Sequence, residues 1–90
     1  MNHQAYYDIC PVDRAREMLK RGSPEAAIHS AQEMAYISQG IEDFAQWRYW
    51  LDVTKIIRFF AAIGPATAQD AYERYQKNAP TACQIEDLFK

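Results

Sequence analysis

The hydrophobic pattern is strongest between residues 41 and 63, a stretch without glycine or proline. Its polar residues Arg48, Asp52 and Lys55 are spaced by four and then three positions, so they share one side of a helix. Apolar residues would cover more than half of the circumference, whereas a surface helix usually shows an apolar stripe a little over ~100° wide. The pattern therefore predicts a long helix 3 that needs neighbours on at least two sides.

A short amphipathic helix 1 is predicted upstream. Pro11 suits the first turn of a helix, where its missing N–H costs nothing, and Gly22 is expected to end the helix as a left-handed cap. Its apolar face would consist of Val12, Ala15, Met18 and Leu19.

Helix 2 is predicted to begin at a clear start signal and to pair with helix 3. Ser23 can cap the first turn, Pro24 fits that turn, and Glu25 lies near the positive end of the helix dipole. The helix should run to about Gln39 and end at Gly40. Small residues on the inner line allow another helix to approach closely, so helices 2 and 3 should form an antiparallel hairpin. The inner line is Ala27, Ala31, Met34, Ala35 and Ser38.

The chain beyond Gly64 and Pro65 predicts one or two further short helices. Thr67 and Asp70 resemble a capping box, which predicts a fourth helix from that threonine. A similar pair at residues 81 and 84 predicts a last turn whose apolar side is Ile85, Leu88 and Phe89. No segment alternates apolar and polar residues as a strand would.

The predicted fold is an all-α bundle of four or five helices around the helix 2/helix 3 hairpin. Ninety residues make one domain with a small core. Within it, residues 1–10 form an N-terminal arm, residues 11–64 a three-helix unit, and residues 65–90 the short C-terminal helices.

The cysteines and the N-terminal residues favour a reduced, cytoplasmic protein. Cys10 and Cys83 are far apart, without Cys-x-x-Cys spacing, and are expected to be unpaired thiols. The first ten residues lack the basic and apolar regions of a secretory signal. Charges interrupt residues 41–63, so a membrane span is not expected.

The overall charge of −2 does not favour nucleic acid or an anionic membrane. Helix 1 nevertheless carries a local net charge of +2. Its cations would form a solvated face or, alternatively, contact nucleic acid or an acidic partner, which makes a small regulator the second functional hypothesis. These cations are Arg14, Arg16, Lys20 and Arg21.

Catalytic and metal-binding patterns are absent from the sequence, and no enzyme and no cofactor are predicted. His29 lies four residues from both Glu25 and Glu33, but neither His-x-x-x-His nor Glu-x-x-His occurs. The serines and cysteines lack a nucleophile elbow or an oxyanion loop. His29 is therefore read as a surface residue.

The concentration of aromatic residues in helix 3 is the most informative feature for function. Six of the twelve aromatic residues lie between Phe44 and Phe60. They could form a core covered by helices 1, 2 and 4, or a face that pairs with a second copy or another protein. A hydrophobic-ligand slot is a further alternative. The predicted interface residues are Phe44, Trp47, Tyr49, Trp50 and Phe60.

About half of the chain resembles a group of short, uncharacterised α-proteobacterial proteins. The order runs through Arg14-Ala15-Arg16, Leu19, Gly22, Ala26-Ala27, Ala31, Met34-Ala35, Gly40, Trp47, Val53 and Ile57. The resemblance implies a bacterial source and a helical hairpin, and it brings no known active site.

Overall fold

The computed structural model describes residues 9–78 and Leu88, and within these residues the fold is all-α. Its helices are α1 (Pro11–Arg21), α2 (Pro24–Gly40), α3 (Phe44–Ile63) and α4 (Pro65–Asn78). Leu88 is helical and buried. The part of the predicted arm before Ile9 lies outside the described residues. The predicted last turn does too, apart from Leu88. None of the helices that are described has the length and apolar character needed to cross a bilayer.

The helix hairpin predicted from the spaced alanines is confirmed. No other pair of helices packs as extensively as α2 and α3. The small side chains allow this approach because they occupy little space between the two helix axes. The buried residues of α2 are Ala27, Ala31, Ala35 and Ser38. The Ser38 hydroxyl donates to the Met34 carbonyl at 2.7 Å, so this buried polar group has a partner.

Helix α3 is the centre of the core and has neighbours on several sides, as its wide apolar surface predicted. It contacts α1, α2 and α4. Val53, Ile56 and Ile57 are fully buried. The Thr54 hydroxyl, also buried, donates to the Trp50 carbonyl one turn earlier at 2.9 Å. The other helices are thus arranged around a single central helix.

Two of the helices begin directly after a residue whose side chain caps the first turn. The Ser23 hydroxyl accepts from the Ala26 N–H at 3.1 Å, as predicted for α2. The Asp43 carboxylate accepts from the Gln46 N–H at 3.1 Å and starts α3. Helix α3 begins later than residue 41 because residues 41–43 form the turn that joins it to α2.

Two predicted helix ends were wrong in detail. Gly22 is extended, with φ −171°, so α1 ends at Arg21 without a left-handed cap. Thr67 lies inside α4 and does not cap it, because the Gly64 carbonyl already accepts from the Ala68 N–H at 2.8 Å. The proline in the first turn of α4 favours this earlier start. Left-handed φ values occur at Gly64 (87°) and Glu42 (60°).

The prediction of unpaired thiols was wrong for Cys10, which forms a disulfide. The only other cysteine of the sequence, Cys83, lies outside the described residues. The Tyr75 hydroxyl donates to the Cys10 sulfur at 2.9 Å, which links the start of α1 to α4. Because disulfides persist in oxidising environments, the cysteines no longer support a cytoplasmic location.

Candidate functional site

The five aromatic residues predicted as an interface fall into two groups. Tyr49, Trp50 and Phe60 are only 6 %, 4 % and 3 % exposed, because the other helices of the same chain cover them. Trp47 is partly buried, and Phe44 is 57 % exposed. The first three therefore form core, and of the five only Phe44 and part of Trp47 are available to a partner.

The buried aromatic pair is fixed by the residues at the start of α1. The Tyr49 hydroxyl donates to the Ile9 carbonyl at 2.7 Å, and the Arg14 Nε donates to that hydroxyl at 3.4 Å. The Tyr49 and Trp50 rings meet edge to face at 5.2 Å. Burial raises the pKa of Tyr49, and the nearby guanidinium opposes this shift. These contacts cover the side of α3 that faces α1, so that side is not available to a partner.

The basic residues of α1 do not form one continuous cationic surface. Arg14 is mostly buried, with its guanidinium 3.3 Å from Glu17 and 5.8 Å from the centre of the Trp50 ring. Arg21 pairs with the same glutamate at 3.6 Å. Arg16 lies 4.5 Å above the Tyr72 ring, and Lys20 is exposed. Arg16 and Lys20 both line the α1/α4 pocket described below.

Tyr72 joins α4 to α1 through a polar contact that the sequence did not reveal. Its hydroxyl donates to the Asp13 carboxylate at 2.5 Å and accepts from the Gln76 amide at 2.9 Å. Burial, followed by the hydrogen bond to Asp13, raises the pKa of Tyr72 to about 12. The two residues are 59 positions apart, so no spacing rule could have paired them.

His29 is exposed, as predicted, and lies 3.3 Å from the Glu33 carboxylate on the same helix. Within residues 9–78 and Leu88, no three histidine, cysteine or acidic side chains come together as a metal site would require.

Large apolar residues are exposed around the turn that joins α2 to α3. Four of the five large apolar residues that are prominently exposed in the described part of the chain lie within nine residues there. We call this group the turn patch, and its members are Tyr36 (78 % exposed), Ile37 (55 %), Ile41 (60 %) and Phe44 (57 %). Sequence reasoning identified only Phe44. The available signal was that Tyr36 and Ile37 lie off the small-residue line of α2, so the hairpin does not cover them.

A second feature is a pocket of about 490 Å³ where the end of α1 meets the junction of α3 and α4. We call it the α1/α4 pocket. Its apolar lining includes Leu19, Phe60 and Ala68, and its cations are Arg16 and Lys20. The sequence predicts a solvated helix face for these cations or, alternatively, a contact with nucleic acid or an acidic partner. It does not predict the pocket beside them, because that pocket depends on how α4 packs.

Comparisons with known proteins add no assignment: no family model matches the chain, and neither the curated proteins nor the solved structures contain a significant match.

Proposed function

We propose that this protein is a non-enzymatic interaction module that self-associates through the turn patch. The observation that carries the proposal is the exposure of four large apolar side chains within nine residues of one turn. Scattered single apolar residues are ordinary on a protein surface, but grouped ones mark interaction sites. The proposal keeps the self-association expected from the sequence and moves it from the middle of α3 to its beginning.

The size of the turn patch supports a second copy as the partner. From their exposed fractions, the four residues together expose roughly 500 Å² of surface. Two copies would bury roughly 1,000 Å², close to the lower limit of a specific interface. A two-fold arrangement uses the same patch on both chains, so no second surface is required. We therefore expect a weak, concentration-dependent dimer.

Phe44 is the residue on which such a dimer would depend most. Its ring packs edge to face against Trp47, with the ring centres 6.2 Å apart. This contact limits the freedom of the exposed ring before binding, which lowers the entropy lost on association. Exposed aromatic residues that are held in place before binding often contribute much of the energy of an interface.

The test is a measurement of molecular mass in solution over a concentration series, by light scattering after size exclusion. The wild-type chain should move from 10.4 kDa towards twice that mass as its concentration rises. Phe44→Glu should weaken the dimer at least tenfold, because pairing the patches would bury a carboxylate against apolar groups. Ala66→Glu is the matched control, since it adds the same charge at an exposed first-turn position of α4.

A wild-type chain that stays monomeric at every concentration would refute self-association. A dimer that Phe44→Glu and Ala66→Glu affect equally would refute the turn patch as its site.

A further inference from the structure

We infer that the α1/α4 pocket binds an amphipathic carboxylate of the fatty-acid class, with its chain in the pocket and its carboxylate at Arg16 and Lys20. The inference concerns a different surface from the turn patch and does not depend on self-association. It joins two of the cations noted in helix 1 to an apolar cavity that only the folded chain creates.

The apolar part of the ligand is indicated by the lining of the α1/α4 pocket. Phe60 forms a buried aromatic surface, while Leu19 and Ala68 contribute aliphatic groups. The volume of about 490 Å³ lies within the range of small-molecule sites, which are mostly apolar with few polar groups. A fully polar anion such as phosphate would leave this surface uncovered. The lining therefore favours a ligand with a hydrocarbon chain.

The anionic part of the ligand is indicated by charge complementarity. The described residues that line the α1/α4 pocket include Arg16 and Lys20 but no aspartate or glutamate. Arg16 is positioned by its contact with the Tyr72 ring, and the hydroxyl of that ring is in turn engaged by Asp13. One cation is thus held in place before the ligand arrives, and Lys20 supplies a second, adaptable charge. A carboxylate beside an apolar chain matches this arrangement.

The pocket and the turn patch are far enough apart to be tested separately. Phe44 is the first residue of α3, whereas Phe60 and Ala61 are in its last turn. At 1.5 Å per residue, this separation is about 25 Å. Phe44→Glu should therefore leave carboxylate binding intact even if it abolishes the dimer.

The experiment is calorimetric titration of the full chain with decanoate below its micelle concentration. Decanol tests the hydrocarbon chain without the charge, and propionate tests the carboxylate with little chain. Decanoate should bind with one-to-one stoichiometry and more tightly than either. Two variants locate the site: Lys20→Glu, which reverses a lining charge, and Ala61→Phe, which fills the pocket from an exposed helical position.

Lys20→Glu should weaken decanoate binding by about tenfold or more, because it replaces an attractive charged contact by a repulsive one. Lys77→Glu is the matched control. It makes the same charge reversal in the last turn of α4 that Lys20→Glu makes in the last turn of α1. It should bind like the wild type. Ala61→Phe should weaken decanoate and decanol alike, while circular dichroism shows unchanged helix content.

Three outcomes would overturn the inference. The first is that the wild-type chain does not bind decanoate. The second is that decanoate and decanol bind equally well and Lys20→Glu has no effect. The third is that Ala61→Phe binds decanoate as the wild type does. Loss of decanoate binding in Phe44→Glu with retention in Ala61→Phe would instead assign the ligand to the turn patch. A negative result in the dimer experiment alone would not contradict carboxylate binding in the α1/α4 pocket.

Discussion

Tyr49, Trp50 and Leu51 are consecutive residues with different environments. The first two are buried, while Leu51 is 40 % exposed. A helix turns by about 100° per residue, so one side of α3 can face α1 while the next residue faces solvent. The contribution of each large apolar residue of α3 to stability therefore depends more on which way its side chain points than on its residue type.

Trp50→Ala should destabilise the chain by about 3–5 kcal/mol, because it leaves a large cavity in the core around α3. Trp50→Phe should cost less, since it keeps most of the apolar volume. Leu51→Ala is the control and should cost less than ~1 kcal/mol at its partly exposed position. Urea unfolding followed by circular dichroism measures these differences. A wild-type midpoint in Trp50→Ala would mean that this residue contributes nothing to the core.

Tyr72 should make the stability of the chain fall at alkaline pH. Its folded-state pKa of about 12 lies above the usual value of 10.0, so the folded chain holds this proton more tightly than the unfolded chain. The stabilisation is complete below pH 10 and is lost as the pH rises towards 12. Tyr72→Phe removes this contribution and should flatten that part of the pH profile.

Urea midpoints across this pH range test the assignment to Tyr72. Tyr36→Phe is the control because Tyr36 is 78 % exposed, and it should retain the wild-type profile. Some slope should remain in Tyr72→Phe, since burial also raises the pKa of Tyr49. Parallel profiles for the wild type and Tyr72→Phe would contradict the raised pKa of Tyr72.

At the level of helices, boundaries were predictable where the local sequence alone determines them. Ser23 caps α2 as expected because the hydroxyl and the N–H it accepts from are only three residues apart. The pair Thr67 and Asp70 follows the same local rule but lies inside α4, since Pro65 starts that helix a residue after Gly64. Where two start signals compete, spacing alone does not decide between them.

The backbone at Gly64 should tolerate no side chain without a loss of stability. Its φ of 87° and ψ of 158° lie in a region that residues with a Cβ rarely adopt. Gly64→Ala should therefore destabilise the chain by about 1–3 kcal/mol, although no neighbouring atom would clash with the new methyl group.

Gly22→Ala is the matched control for this prediction. Gly22 is extended, and a Cβ built there also meets nothing within 4 Å. Thermal unfolding should give a wild-type Tm for Gly22→Ala and a lower one for Gly64→Ala. Equal values for the two variants would rule out backbone strain as the reason for glycine at position 64.

For the molecule as a whole, the sequence predicted the all-α fold and the hairpin because both follow from periodic patterns. It did not predict which aromatic residues remain exposed. That outcome depends on α1 and α4 covering the middle and end of α3, and on contacts such as Tyr72 with Asp13 between distant positions. The α1/α4 pocket was not predictable for the same reason, since residues of all four helices contribute to its lining.

The disulfide of Cys10 should be a major source of stability for this chain. A small domain has a limited core, and removal of a native disulfide typically costs about 2–5 kcal/mol. Reduction with dithiothreitol should therefore lower the urea midpoint, and Cys10→Ser should lower it similarly without reductant. Dithiothreitol should then have no further effect on Cys10→Ser. An identical midpoint for the wild type with and without reductant would contradict this role.

Helix α3 runs without glycine or proline from the turn patch to the α1/α4 pocket, a length of about 30 Å for its 20 residues. A dimer partner and a bound carboxylate would thus lie at opposite ends of this one continuous helix and would not compete for space. Simultaneous occupancy follows from this geometry. A dimer built through the turn patch would hold two ligands apart at its far ends, each still open to exchange with the surroundings.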